Sequence, residues 1–191
     1  MNVDHGVSGG FAAAADGLRS ARFRDDLVVR EIPSPTGLAP FGVAFAGDVR
    51  PDSHGDSPYG TGRFVLLHDP DEPDSWGGPW RIVAFAQAPL ELEIGTDPLL
   101  ADVAWSWLTD ALASRDAEYE LLAGTATKTV SRGFGSLEDQ GDGAQIELRA
   151  SWSPVAPTPA HLDAWAELVC MLAGLPPGSE DIAVLHPSRR R

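Results

Sequence analysis

Hydrophobic and polar positions recur along this chain with two periods, and the switches between them divide it into elements. Leu27–Ile32 is a short apolar run ended by the turn cluster Pro33-Ser34-Pro35-Thr36-Gly37, and it reads as a strand. Phe41–Val49 sets Phe41, Val43 and Phe45 against Gly42, Ala44 and Ala46, a strand with one large and one small face. Arg63–His68 is apolar on both sides, as a central strand is. Trp80–Ala88 alternates again, which predicts an antiparallel pair with Arg63–His68 across the loop Asp69–Pro79. Farther on, Glu118–Arg132 is expected to place Tyr119, Leu121, Ala123 and Thr125 opposite Glu118, Glu120 and Lys128. In Gln145–Trp152, residues Ile146, Leu148, Ala150 and Trp152 face in while Gln145, Glu147, Arg149 and Ser151 face out. The connector Gly133–Gly143 reads as a hairpin loop.

Three segments carry the helical period instead. Residues 10–22 put Phe11, Ala14, Ala15, Leu18 and Arg22 on one stripe. A second helix is expected to start at Asp97, a good N-cap, with Pro98 at the first helical position, and to end near Ser114. Leu100, Val103, Ala104, Trp107, Leu108 and Ala111 form its apolar face. A third starts at Thr158-Pro159, with the stripe Leu162, Trp165, Val169 and Leu172, Gly174 past its end, and Pro176-Pro177 as the stop. The order α-βββ(β)-α-ββ-α predicts an α+β domain, an antiparallel sheet of five or six strands backed by helices. It is expected over residues 10–177, between a disordered N-terminus at 1–9 and a loosely ordered tail at 178–191.

Composition narrows the chemistry. At 191 residues and 43% hydrophobic the chain can bury one core of ordinary size. Its formal charge of −14 argues against binding nucleic acid directly, since phosphate recognition needs a basic surface. The single cysteine excludes disulfide frameworks and multi-cysteine metal sites, and it fits a reducing compartment. No apolar run reaches membrane-spanning length, and the first residues lack the basic region of an export signal, so a cytoplasmic protein without membrane contact is expected. Thirteen of the 14 basic residues are arginine, the usage of a GC-rich bacterial genome.

No G-x-S-x-G elbow is present, and Cys170 lies beside Val169 and Met171 inside the last helix, as a buried inert thiol would. Gly60-Thr61-Gly62-Arg63 and Gly133-Phe134-Gly135-Ser136 do not open helices and read as turns rather than phosphate loops. No cofactor is expected. Oxygen-rich loops hold hard cations, which makes His68, Asp69, Asp71 and Asp74 the metal candidates, with Glu72 nearby and Asp52, His54 and Asp56 in the preceding loop. Their spacing matches no EF-hand, and a solvated acidic loop is the ordinary reading. Arg63, Arg81 and Arg149 fall at strand positions that could share one sheet face and hold an anion or carboxylate. Trp76 and Trp80 flank Gly77-Gly78-Pro79, and tryptophan in a glycine turn is a candidate for recognition.

Four blocks in this order, Leu67-His68-Asp69-Pro70, Asp97-Pro98-Leu99-Leu100, Trp105-Ser106-Trp107-Leu108 and Arg149-Ala150-Ser151-Trp152, resemble an actinobacterial family, domain of unknown function 3000. The likeness covers about residues 10–177 and brings no catalytic residue with it. The element order is also similar to the type III secretion chaperone-like fold, including YbjN-type proteins, although this chain is longer and has an extra strand candidate at Leu27–Ile32. That second resemblance implies a homodimer that binds other proteins rather than an enzyme. Two functions from different classes follow. A non-catalytic protein-binding or chaperone-like module requires an exposed apolar patch near Trp76, Trp80 or Asp97–Ser114. A small-molecule or anion-binding protein or enzyme requires Arg63, Arg81 or Arg149 to meet an acidic or histidine partner in a pocket. An acidic nucleic-acid mimic ranks behind both, because the carboxylates scatter among loops.

Overall fold

The strands pair into one antiparallel sheet in the computed structural model, which describes residues 4–49 and 60–175. They are β1 (Leu27–Ile32), β2 (Phe41–Val49), β3 (Thr61–His68), β4 (Trp80–Leu90), β5 (Tyr119–Ser131) and β6 (Gly143–Pro154). In space they lie in the order β1-β2-β3-β4-β6-β5, so the two longest hairpin partners, β5 and β6, exchange their chain order at the far edge. The helices are α1 (Asp4–Arg19), α2 (Leu92–Thr96), α3 (Leu100–Ala113) and α4 (Pro159–Leu172). This is the expected α+β arrangement. None of the described helices is long and apolar enough to cross a membrane.

The alternation read from the sequence decides which face of the sheet the helices cover. Val43 and Phe45 of β2, Phe64 and Leu66 of β3, Ile82, Ala84 and Ala86 of β4, and Ile146, Leu148, Ala150 and Trp152 of β6 share one core with Leu18, Leu108, Leu112, Leu162 and Trp165. Strand parity thus sends the bulky positions to one side, where α1, α3 and α4 remove them from water.

The closest helix contact rests on absent side chains. Gly47 and Gly62 are cross-strand partners on β2 and β3. A Cβ on Gly47 would lie 2.8 Å from the Trp165 ring, and one on Gly62 would lie 2.8 Å from Trp165 and 2.6 Å from Val169. Gly60 has the same relation to α4, its Cβ position lying 2.9 Å from Ala173. Trp165, Val169 and Ala173 are spaced by four residues and run along this glycine bed. Trp165 is fully buried, and its indole N–H donates to the Phe85 carbonyl at 2.9 Å. Beyond Ala173, Gly174 takes a left-handed conformation (φ 78°). The Leu175 N–H bonds the Cys170 carbonyl and the Gly174 N–H bonds that of Met171, the Schellman pattern that ends α4.

Several expectations are corrected. The first helix spans Asp4–Arg19 rather than residues 10–22. Once Phe11, Ala15 and Leu18 pack and nucleate the helix, extending it toward the N-terminus costs little. Regular α3 starts at Leu100, because the Asp97 carboxylate instead accepts the Leu99 N–H at 2.8 Å in a preceding turn. Val103 lies outside the buried stripe and is 38% exposed. The short α2 and a 3-10 turn at Gly135–Gln140 carried no periodic signal. In β5 a bulge between Glu120 and Ala123 inverts the phase, so Tyr119 and Ala123 face opposite sides. The tail at 178–191 lies outside the described residues.

The glycine bed makes a direct stability test. Gly62→Ala is expected to cost about 1–3 kcal/mol in urea denaturation, the usual price of overpacking. Gly78→Ala, whose Cβ position has nothing within 4 Å, is expected to stay within about 0.5 kcal/mol of the parent. Equal stabilities for the two variants would contradict this packing.

Candidate functional site

The opposite face of the sheet is covered by no described helix. Its side chains follow from the register. Across the middle of the sheet runs one row, Arg30, Ala46, Arg63, Phe85, Arg149 and Thr125, from β1 through β2, β3, β4 and β6 to β5. A neighbouring row holds Asp48, Thr61, Gln87, Glu147 and Thr127. Another holds Ile32, Ala44, Val65, Val83, Ser151 and Ala123. Arg81 comes next along β4, opposite Leu67. Arg63, Arg81 and Arg149 therefore share one face.

The cations differ in their surroundings. Arg30 pairs with Asp48, and that hydrogen bond holds the Asp48 carboxyl below the usual range. Arg149 pairs with Glu147 through Nε at 2.6 Å, and its guanidinium lies 5.5 Å from the Phe85 ring centroid, a cation–π distance. Arg63 sits between these two pairs, is exposed, and donates to the Gly62 carbonyl at 2.8 Å. Of the three it is the one without an ion pair among the described residues.

Arg81 is held by neutral acceptors. Its guanidinium donates to Ser151 Oγ at 2.7 Å, Ser153 Oγ at 3.1 Å and the Leu121 carbonyl at 3.3 Å. Leu121 has φ 52°, so the bulged backbone is strained where it offers that carbonyl. Ser153 in turn donates to the Trp76 carbonyl at 2.6 Å. Burial lowers the Arg81 pKa from its ordinary value, and no carboxylate compensates among the described residues. Arg81 thus ties β4, β6, the bulge and the Trp76 loop into one rigid corner of the face.

The two loop tryptophans separate. Trp76 packs on Ala44, Val65 and Leu67, closing one end of the helix-free face. Trp80 is the first residue of β4, where the alternation Trp80–Ala88 places it, and it points to the helix side. There it stacks on Phe11 (6.3 Å, 16°) and meets His68 at 4.2 Å between ring centroids. Strand parity forces this division: Trp80 shares the parity of Ile82, and Trp76 precedes the strand.

His68 is buried among Phe11, Phe41 and Trp80, with Nδ1 lacking a hydrogen-bond partner, although the charge of Asp69 acts on it. Asp69 instead caps its own turn, accepting the Asp71 N–H at 3.0 Å, while Asp71 and Asp74 are exposed. Among the described residues no three His, Cys, Asp or Glu side chains assemble into a metal site. Asp52, His54 and Asp56 lie outside the described residues. Cys170 is fully buried, and burial pushes its thiol up to about 11, leaving it protonated at neutral pH.

Arg30, Phe85, Ser151 and Ser153 belong to this face and were not singled out from sequence. Arg30 and Phe85 could be placed only after strand pairing was known, because parity assigns a side but not a neighbour. An open depression of about 440 Å³ lies at the foot of α3, lined by Leu112, Asp116, Tyr119 and Val155; none of the arginines reaches it.

A family model described as protein of unknown function (DUF3000) matches residues 7–182, and the chain belongs to that family. No curated protein and no solved structure matches it.

The buried histidines set a pH dependence. Trp152 Nε1 donates to His161 Nδ1 at 3.1 Å, so Nε2 carries the proton toward the Ala156 carbonyl at 3.2 Å. Burial lowers the His161 pKa to about 4, and it lowers that of His68 in the same direction. The unfolded chain therefore binds more protons than the native one below the ordinary histidine pKa. The contribution of His161 to stability is full above roughly pH 6.5 and is lost as pH falls toward 4, by about 3 kcal/mol. Urea titrations across that window are expected to give a flatter profile for His161→Gln than for the parent. Parallel profiles would contradict the assignment.

Proposed function

We propose that this DUF3000 protein is a non-catalytic protein-binding module that receives an acidic segment of a partner protein on its helix-free sheet face. The observation carrying the reading is the row Arg30, Arg63, Phe85 and Arg149, crossing the sheet of a chain whose overall charge is −14. Two of its cations are paired, with Asp48 and Glu147, while Arg63 between them makes no ion pair among the described residues, although its charge also acts on Asp48. A carboxylate entering beside Phe85 would complete the alternation of charge along the strands, and the guanidinium fork suits it. Half-buried Phe85 and Val83, 39% exposed, supply apolar contact in the same area. The Arg81 corner, fixed by two serines and a carbonyl, keeps the surface rigid and so lowers the ordering cost of binding.

The module reading also asks for an exposed apolar patch at the second long helix. Leu99 and Val103, 62% and 38% exposed, provide apolar surface there. The small-molecule or enzyme reading shares the arginine face but has less support. The described depression lies elsewhere, and the Arg149–Glu147 pair stands on an open strand rather than in a pocket. The single reduced thiol supports a cytoplasmic setting.

An acidic probe tests the reading. A hexaglutamate peptide added to the isotopically labelled chain is expected to shift the amides of β3, β4 and β6 around Arg63, Phe85 and Arg149, more strongly at low salt. Arg63→Glu is expected to weaken the interaction about tenfold, equivalent to about 1.4 kcal/mol. Shifts confined to the helix side, or identical titrations for the parent and Arg63→Glu, would overturn it. Citrate binding more tightly than the peptide would favour the small-anion reading.

A further inference from the structure

The two edges of the sheet are built differently. β1 is six residues long, carries Arg30 and Glu31, and is followed by Pro33 and Pro35. Short length, charge and proline are the features that keep an edge from pairing with another chain. β5, the other edge, is 13 residues long and contains no proline. After its bulge, the stretch from Leu122 to Ser131 carries one charged residue, Lys128. The Lys128 ammonium donates to the Asp97 carbonyl at 2.6 Å, which draws it back toward the helix layer. Among the described residues, no strand pairs with the outer side of β5.

Apolar surface borders that edge on the helix side. Val130, 52% exposed, pairs with Ala144, on which Gly95 of α2 sits. Ile94 and Leu99, on either side of the Lys128 anchor at Asp97, are 47% and 62% exposed. An edge with free backbone donors and acceptors, flanked by exposed apolar side chains, satisfies both halves of a strand-addition interface.

We propose that β5 pairs antiparallel with β5 of a second copy, about a two-fold axis normal to the sheet, in a register centred on Ala126. Ala126 then faces its own counterpart, Thr125 faces the partner's Thr127, and Val130 faces the partner's Leu122. Lys128 falls opposite the partner's Gly124, so no like charges meet. Glu120, at the start of the strand, lies opposite the partner's Arg132, an exposed cation that also pairs with its own Asp142 at 3.6 Å, so unlike charges meet at the strand ends in this direction. Such an interface is self-complementary, as two-fold symmetry requires. An axis normal to the sheet keeps both helix-free faces on one side, and Thr125 of the arginine row meets the partner's Thr127, which pairs with Glu147. The pairing stands on the strand edge and does not depend on what the arginine face binds.

Sedimentation velocity on the full chain at about 100 μM is expected to show a dimer, which a micromolar dissociation constant would populate. Val130→Asp with Leu99→Asp, at two exposed sites, is expected to raise the dissociation constant at least about tenfold while leaving the circular dichroism spectrum unchanged. A chain carrying both Thr125→Cys and Thr127→Cys is expected to cross-link into dimers on mild oxidation, since cross-strand neighbours lie within disulfide reach and Cys170 is buried. A parent chain that is monomeric at that concentration would overturn the proposal. So would a dimer that neither responds to the aspartates nor cross-links through the paired cysteines.

Discussion

Trp165 lies against the sheet where β2 and β3 offer glycine, and this contact governs the rest of the molecule. With side chains at Gly47 and Gly62, the indole and Val169 could not approach as they do, and α4 would have to lift from the strands. Its seating fixes the distance between helix layer and sheet, and Phe64, Leu66, Ile82 and Leu148 pack to that distance. The indole hydrogen bond to Phe85 O reaches β4, so one side chain spans three adjacent strands. Because the helices commit to this side, the odd-numbered positions of β3, β4 and β6 are left facing away from them.

That division explains how an acidic chain comes to present arginines together. Their strand parity is shared, and pairing in register aligns Arg30, Arg63 and Arg149 across Ala46 and Phe85. Asp48 and Glu147 pair with the outer two, which lowers self-repulsion and leaves Arg63 in the centre without an ion pair among the described residues. Trp76 and the Arg81 network close one end of the face, so the exposed part is bounded rather than diffuse.

Legibility in the sequence followed the physics of each element. β1 and β2 appeared at their observed limits, because strong alternation ended at prolines, glycines and polar loops. β6 showed the correct two faces, since no bulge interrupts it. β5 did not, because one extra residue between Glu120 and Ala123 reverses the phase without changing composition. The shared side of the three arginines could be posed from parity, but their alignment could not, as register depends on partners distant in sequence. The start of β4 at Trp80 was legible from its alternation, and parity, not the adjacent glycines, decides that its ring goes to the helix side. The placement of His68 follows from the same parity: it ends β3 in phase with Phe64 and Leu66 and turns toward the aromatic cluster.

Among the described residues, helices seal one face of the sheet and leave the other open to solvent around the arginine row. A soluble paramagnetic agent, read through side-chain signals of the full chain, tests this most directly. The Val83 methyls and the ring of Phe85 are expected to broaden strongly, while Phe64, Ile82, Leu148 and Trp165 stay sharp. Protection of Val83 and Phe85 equal to that of Phe64 and Ile82 would contradict it.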